Sequence, residues 1–251
     1  MKELSVIILT WNQRIVLHRC LDSLMPAIAD IDNEVIVIDN GSSDGTPELL
    51  AAQFPQIRVI ANAKNRGVAA ARNQGIAAAE GEHILILDND TVVNAEAIIG
   101  MFNYLKRNPK AGIVACRLLN ADSSVQNSLK PYPGLKQKIR NVLRLATHEP
   151  QFATDADGVI HPTYVIGACQ MFARSIVNEV GFLDENIFYG PEDADFCLRV
   201  AQAGYSVCYL PMYSIEHLHR RITSHNLLSP LARRHIAALL YFYRKHHRWW
   251  Q

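Results

Sequence analysis

The sequence predicts an α/β domain built on a doubly wound, mostly parallel sheet, and three observations carry that expectation. Short β-branched runs alternate with helical stretches through the first half of the chain. Each run is mostly apolar and does not alternate, as expected of a strand covered by helices on both faces. The 251 residues are 49% hydrophobic and 20% charged, which supplies one large core and excludes a disordered chain.

In chain order, Leu4–Leu9 reads as the first strand and Ile15–Ala27 as the helix after it. Glu34–Ile38 is the second strand. The next helix, Pro47–Phe54, has start chemistry of its own: Thr46 as N-cap, Pro47 at the first helical position and Glu48 in the positively polarised first turn. Ile57–Ala61 and His83–Leu87 are strands, separated by a helix over Val68–Ala79, and a helix over Ala95–Lys106 leads to a strand at Gly112–Cys116. Repeated βα units take right-handed crossovers and place ligands at the carboxyl ends of the strands. Residues 117–164 lose this rhythm. Asp122-Ser123-Ser124, Lys130-Pro131-Tyr132-Pro133-Gly134 and Asp155-Ala156-Asp157-Gly158 mark turns there, and so long an aperiodic stretch reads as a lid or binding segment. Regular structure resumes at Tyr164–Ala173, then in a helix at Ala194–Gln202, a strand at Ser206–Leu210 and a helical tail from Leu227 to His247.

The formal charge of +1 hides an uneven distribution. Met212–Gln251 carries seven Lys or Arg against one acid, Glu216, so the remaining body is acidic. An acidic body argues against nucleic acid as a partner. Five cysteines without a Cys-x-x-Cys spacing read as buried thiols in a reducing compartment, not as a disulfide or zinc framework. Met1-Lys2-Glu3 runs straight into strand-like sequence with no apolar leader, and the run Ala237–Tyr243 is far short of the roughly 20 apolar residues a span needs. The expectation is a cytoplasmic protein, at most peripheral on the inner face of a membrane.

The sharpest chemical feature is Ile84-Leu85-Ile86-Leu87-Asp88-Asn89-Asp90, an apolar strand ending in two carboxylates. Hard oxygen donors on a rigid strand end suit Mg²⁺ or Mn²⁺ shared with a substrate diphosphate, although Asn89 and Asp90 also suit an ordinary turn. Asp39 ends the second strand at the equivalent place, where a carboxylate can accept the N3–H of uracil or thymine. Asp44 and its neighbours are explained by turn and capping chemistry. Thr10-Trp11-Asn12 ends the first strand at the same edge, and Asn65-Arg66-Gly67 leads into a helix carrying Arg72-Asn73. An Arg one turn into that helix reaches a base or phosphate, or simply meets solvent. Finally, Pro191 starts a helix whose first turn gathers Glu192, Asp193 and Asp195, more acid than capping requires and a candidate general base.

In this order the segments resemble the catalytic domain of glycosyltransferase family 2, inverting nucleotide-sugar transferases of the GT-A fold. The matching pieces are Val6-Ile7-Ile8-Leu9-Thr10-Trp11-Asn12, Val37-Ile38-Asp39-Asn40-Gly41-Ser42, Asn65-Arg66-Gly67 with Ala71-Arg72-Asn73, Leu87-Asp88-Asn89-Asp90, Gly167-Ala168-Cys169 and Glu192-Asp193-Ala194-Asp195, covering about residues 4–220. The resemblance implies a catalytic domain over 1–226, with a nucleotide-sugar half over 1–116 and an acceptor half over 117–226, followed by a basic aromatic helix over 227–251. It implies that Thr10, Asn12, Asp39, Arg66, Arg72, Asp88 and Gly167 bind the nucleotide sugar. Asp88 and Asp90 become the ligands of a divalent ion, Mg²⁺ or Mn²⁺, with His217 beside them, and Asp193, flanked by Glu192, the base that deprotonates an acceptor hydroxyl. The implied reaction moves a sugar from a UDP or dTDP donor to a sugar or lipid-linked sugar acceptor in cell-surface polysaccharide or glycoconjugate synthesis. His217–Arg221, Arg233-Arg234-His235 and Tyr241-Phe242-Tyr243-Arg244-Lys245 look like the rhamnosyltransferase-like branch.

A sugar-1-phosphate nucleotidylyltransferase or a nicotinamide dehydrogenase would place a Gly-rich loop after the first strand, where Thr10-Trp11-Asn12 stands instead. The remaining alternative is a catalytically silent nucleotide-sugar-binding or scaffold protein, and the carboxylates at Asp88, Asp90, Glu192 and Asp193 argue against it. In the tail, Leu231, Leu239, Leu240, Phe242, Trp249 and Trp250 lie among Arg233, Arg234, Arg244, Lys245 and Arg248. That composition suits an anionic membrane surface. It equally suits packing of Leu231, Ile236, Leu239, Leu240 and Tyr243 on the acidic body, within one chain or across a homodimer.

Overall fold

The computed structural model describes residues 2–131, 152–218 and 230–246. The strands are β1 (Leu4–Thr10), β2 (Asn33–Asp39), β3 (Arg58–Ala61), β4 (His83–Asp88), β5 (Thr91–Val92), β6 (Ala111–Leu119), β7 (Leu129–Lys130), β8 (Ala153–Thr154), β9 (Ile160–His161), β10 (Tyr164–Val165), β11 (Cys169–Ala173) and β12 (Ser206–His217). The described helices are α1 (Arg14–Ala27), α2 (Thr46–Gln53), α3 (Val68–Ala78), α4 (Ala95–Arg107), α5 (Arg174–Val180), α6 (Glu192–Gln202) and α7 (Pro230–Lys245).

β3, β2, β1 and β4 are neighbours in that order and run parallel. Their uninterrupted apolar sequence follows from burial on both faces. Leu4, Val6 and Ile8 of β1 join Leu17, Leu21 and Leu24 of α1 in one core layer, while Ile7 joins Ala69, Ala71 and Ile76 of α3 in the other. β3 departs from the expectation of a covered strand. It is the sheet edge, with Val59 40% exposed. The N-cap of α2 is Gly45, one residue before the expected Thr46, which becomes the first helical residue with its N–H and hydroxyl both held by Asp44 Oδ1.

Beyond β4 the sheet is mixed. β11 inserts antiparallel between β4 and β6, and β12 then runs parallel to β6, with β9 and β8 completing that edge. The run Tyr164–Ala173 is therefore two strands, split by a backbone break at 166–168. β12 outruns its predicted end at Leu210. Pro211 cannot donate to a ladder, so the strand shifts register between Leu210 and Ser214 and continues to His217. Of the long aperiodic stretch, 132–151 lies outside the described residues. Asp155 makes the expected turn, accepting from the N–H groups of Asp157 and Val159. All five cysteines are buried thiols.

α7 packs on the body through His235, Ala238, Leu239, Phe242, Tyr243 and His246, a spacing of three and four residues. This corrects the expected contact list. Ile236 and Leu240 are 48% and 50% exposed, and Phe242 is wholly buried and so withheld from any lipid. Arg248, Trp249 and Trp250 lie outside the described residues. No helix among the described residues is long and apolar enough to cross a membrane.

Candidate active site

The carboxyl ends of β2, β1 and β4 lie side by side, because Thr10 is paired with Asp39 and Leu9 with Asp88. Thr10 and Asp39 are buried. Asp39 Oδ1 accepts the Ser42 N–H at 3.0 Å, which fixes its carboxylate at the strand end. Thr10 Oγ1 accepts from the Asn89 amide at 2.9 Å, tying β1 to the Asp88-Asn89-Asp90 turn. Asn12 has a left-handed φ of 52°, tolerable for Asn, and its Oδ1 accepts the Ser43 N–H at 2.8 Å. It thereby joins the loop after β1 to the loop after β2. Arg66 is exposed, and its N–H is held by Asn40 Oδ1 at 3.0 Å. Buried Asn40 also donates to Asn65 Oδ1 and the Gly67 carbonyl, which sets the course of the loop before α3.

Asp88, Asp90 and His217 offer ligand atoms that all lie within 4.8 Å of one another. The extra length of β12 is what brings His217 here, since β5 pairs Thr91 with His217. His217 Nε2 lies 3.2 Å from Asp90 Oδ1 and 3.9 Å from Asp88 Oδ2. Gln126 donates to the His217 carbonyl at 2.6 Å, so its Oε1, 2.8 Å from His217 Nδ1, accepts that N–H. The hydrogen on Nδ1 turns Nε2 toward the carboxylates, the tautomer a ligating imidazole needs. Burial works against the charged ring, but Asp90 and Asp88 outweigh it and raise its pKa. Two carboxylates and one imidazole fit a divalent cation of the Mg²⁺ or Mn²⁺ kind.

Arg72 is buried at the centre of the edge. Its Nη2 donates to Asp88 Oδ1 at 2.5 Å and to the Gly167 carbonyl at 2.9 Å, and Nη1 lies 3.5 Å from Glu192 Oε1. Burial opposes its charge, but Asp88, Glu192 and Asp193 outweigh that and raise its pKa. A Cβ at 167 would stand 2.7 Å from Arg72 Nη1, so a larger residue there must displace the guanidinium from its bonds to Asp88 and the Gly167 carbonyl. The Gly167 N–H donates to Asp193 Oδ2 at 3.1 Å, and Asp193 Oδ1 accepts the Ala194 N–H at 2.7 Å. Glu192 Oε2 accepts the Gly190 N–H at 2.5 Å. Burial pushes the Glu192 carboxyl up to about 7, with Asp193 adding to the rise and Arg72 opposing it. Burial raises Asp193 as well, against its two backbone donors. Two adjacent buried carboxyls, both held above their ordinary pKa and Glu192 at about 7, suit a site that takes up and releases protons.

The predicted residues thus fall into three groups along one edge: Thr10, Asn12 and Asp39; Asp88, Asp90 and His217; Gly167, Glu192 and Asp193. Arg72 links the second to the third. Asn40, Asn89 and Gln126 were not singled out from the sequence. Asn40 and Asn89 sit inside motifs that were, and their burial marks them; Gln126 lies in aperiodic sequence that carries no such signal.

Residues 5–181 match the family model described as Glycosyl transferase family 2. The chain is 26% identical over 269 residues to an N-acetylglucosaminyl-diphospho-decaprenol L-rhamnosyltransferase of Mycobacterium tuberculosis, an alignment covering 99% of this chain and 86% of that protein. It is 27% identical over 185 residues to a poly-beta-1,6-N-acetyl-D-glucosamine synthase of Staphylococcus aureus, covering 71% of this chain and 41% of the synthase. A solved mannosyltransferase of Pyrobaculum calidifontis, in complex with GDP-Man and Mn²⁺, shares the fold at a TM-score of 0.68 and 21% identity, over 100% of this chain and 65% of that one. The family model spans well over half of the sequence and takes in Asp39, Asp88 and Asp90: the chain belongs to glycosyl transferase family 2.

Proposed function

We propose that this glycosyltransferase moves a sugar from a UDP or dTDP donor to an acceptor hydroxyl in a single inverting displacement, with a divalent cation at Asp88, Asp90 and His217. The observation that supports the reading is that Thr10 and Asp39, the Asp88, Asp90 and His217 trio, and the Glu192 and Asp193 carboxyls in the first turn of α6, linked to Asp88 through Arg72, lie together at one edge of the sheet. Thr10, Asn12, Asp39 and Arg66 border the nucleoside, with Asp39 accepting from the pyrimidine N3–H. A bound divalent ion supplies charge neutralisation to the departing nucleoside diphosphate. Arg72 holds Asp88 and the Gly167 backbone in place, and Gly167 in turn aims Asp193. Asp193 takes the acceptor proton at Oδ2 or Oδ1, and Glu192 beside it shares the local proton inventory. No enzymic nucleophile is required, because one in-line attack inverts the anomeric carbon.

The Mycobacterium relative acts, by its name, as an L-rhamnosyltransferase on a diphospho-decaprenol-linked sugar, which favours L-rhamnose as the sugar and a lipid-linked sugar as acceptor here. The solved mannosyltransferase complex holds Mn²⁺, which favours Mn²⁺ over Mg²⁺. The outward face of α7 exposes Arg233, Ile236, Ala237, Leu240 and Arg244 with no acid among them, a composition that suits the headgroup layer of an anionic bilayer. Release of nucleoside diphosphate from UDP-, dTDP- and GDP-sugars in Mn²⁺, in Mg²⁺ and in EDTA tests the reading. A pyrimidine donor turned over only with the metal is expected; no turnover of any donor, or equal turnover in EDTA, refutes it. Sedimentation with phosphatidylglycerol vesicles at low and high salt tests the membrane face, and no binding at low salt removes it.

A further inference from the structure

We infer that α7 is a brace for the catalytic helix, with Lys245 as its positioning residue, an inference that rests on the roles proposed for Asp193 and Glu192. α7 grips the segment 184–195 at both ends. At one end, Lys245 Nζ lies 2.7 Å from Asp184 Oδ2, and the Tyr241 hydroxyl donates to the same oxygen at 2.9 Å. At the other, Asp195 of α6 is 0% exposed, and its Oδ1 receives Lys245 Nζ at 2.6 Å and His246 Nε2 at 2.8 Å while Arg199 holds Oδ2 at 2.8 Å. Between these ends His235 Nδ1 lies 3.1 Å from both the Tyr189 and the Gly190 carbonyls, and Arg234 stacks 4.2 Å from the Phe188 ring centroid. Phe242 and Tyr243 pack against Ala194.

A carboxylate removed from water must be matched by paired charge and hydrogen bonds. Among the described residues three basic groups meet Asp195, and two of them come from the end of α7 and the residue just after it. Among the described residues Lys245 is the one side chain that joins Asp184 to Asp195, so it fixes the span that contains Glu192 and Asp193. The opposite side of the same turn is set by the 3.1 Å bond from the Gly167 N–H to Asp193. Loosening the α7 side frees the first turn of α6 to drift, and a base displaced by about 1 Å loses up to ~100-fold in rate.

The test uses the full chain with Lys245→Met, which keeps the apolar stem, Lys245→Arg, which restores a cation, and Tyr241→Phe, which removes only the hydroxyl link to Asp184. The readouts are dTDP affinity in Mn²⁺, release of dTDP from dTDP-L-rhamnose with UDP-N-acetylglucosamine as a parallel donor, and hydrogen exchange over 184–195. For Lys245→Met we expect turnover to fall ~10–100-fold at unchanged dTDP affinity, with faster exchange confined to 184–195. Lys245→Arg should recover most of both, and Tyr241→Phe should show a smaller change of the same kind should Lys245→Met fail to fold. Wild-type exchange and turnover in Lys245→Met, or loss of dTDP affinity in step with turnover, overturns the brace. Should wild type release nucleotide from neither donor, the proposed reaction fails, and the exchange pattern alone decides the brace: local acceleration upholds it, and no change overturns it.

Discussion

Replacing Glu192 by Gln should make the protein more stable above pH 7 while making it a poorer enzyme. Glu192 is buried, and that burial, with Asp193 alongside and Arg72 in partial opposition, moves its carboxyl from 4.5 to about 7. At about 1.4 kcal/mol per pH unit, holding it ionised in the fold costs about 3 kcal/mol relative to the unfolded chain. Its folded pKa lies above its unfolded one, so the folded state binds the extra proton between 4.5 and 7, and stability falls as pH rises through that window. Above it the full cost is present; below 4.5 both states are protonated and the cost vanishes. Gln is uncharged at every pH and keeps an oxygen for the Gly190 N–H. The shift already includes the attraction of Arg72, 3.5 Å away, so the expected gain at pH 8 is about 3 kcal/mol, or ~6–12 °C in Tm. Urea unfolding of wild type and Glu192→Gln from pH 4.5 to 8.5 measures it. Curves that run parallel across that range, with no gain at pH 8, would show that the carboxyl is not strained and that Arg72 and the Gly190 N–H compensate its burial in full.

Asp193→Asn should lower turnover ~10²–10⁴-fold with nucleotide affinity within about twofold, read by stopped assays alongside dTDP titration; near-normal turnover there, with Glu192→Gln inactive, moves the base by one residue. Gln126→Leu should weaken Mn²⁺ binding in the presence of UDP by ~10–100-fold, because the His217 ring loses the acceptor that fixes its tautomer. Electron paramagnetic resonance of Mn²⁺ reports this without any turnover. Gly167→Ala should destabilise the fold by about 1–3 kcal/mol and depress turnover, since its Cβ meets Arg72 Nη1 at 2.7 Å; a fully active, equally stable variant contradicts the close approach.

The first four strands were legible because their physics is local. A strand with helices on both faces is apolar along its interior without alternation, and Val6–Leu9 and Ile84–Leu87 are. The exposed edge strand Arg58–Ala61 was misread for the same reason: its short apolar run looks like a covered strand, and nothing local says that no neighbour lies beyond it. The antiparallel insertion of Cys169–Ala173 beside His83–Asp88 depends on a partner about 80 residues earlier, which periodicity does not encode. Pro211 hid the last seven residues of the longest strand, and with them the route by which His217 reaches Asp90.

The site divides along the same line. Carboxylates at strand ends stand out, because acids are anomalous after an apolar run, and so Asp39, Asp88 and Asp90 were found from local sequence. The groups that orient them do not stand out. Asn40 and Gln126 are common polar residues whose meaning comes only from what they touch. Arg72 is the instructive case. From sequence it is a helix-start cation facing a ligand; folded, its guanidinium is engaged by Asp88, Glu192 and the Gly167 carbonyl. One buried cation therefore stands between the cation-ligand carboxylate and the base-side carboxyl. Removing it would leave Glu192 with a like-charged neighbour, Asp193, and no counter-charge of its own, and would release Asp88 from its fixed orientation in the same stroke. On the roles proposed for these carboxyls, donor-side and acceptor-side chemistry are coupled through Arg72, and substitutions there should never separate the two.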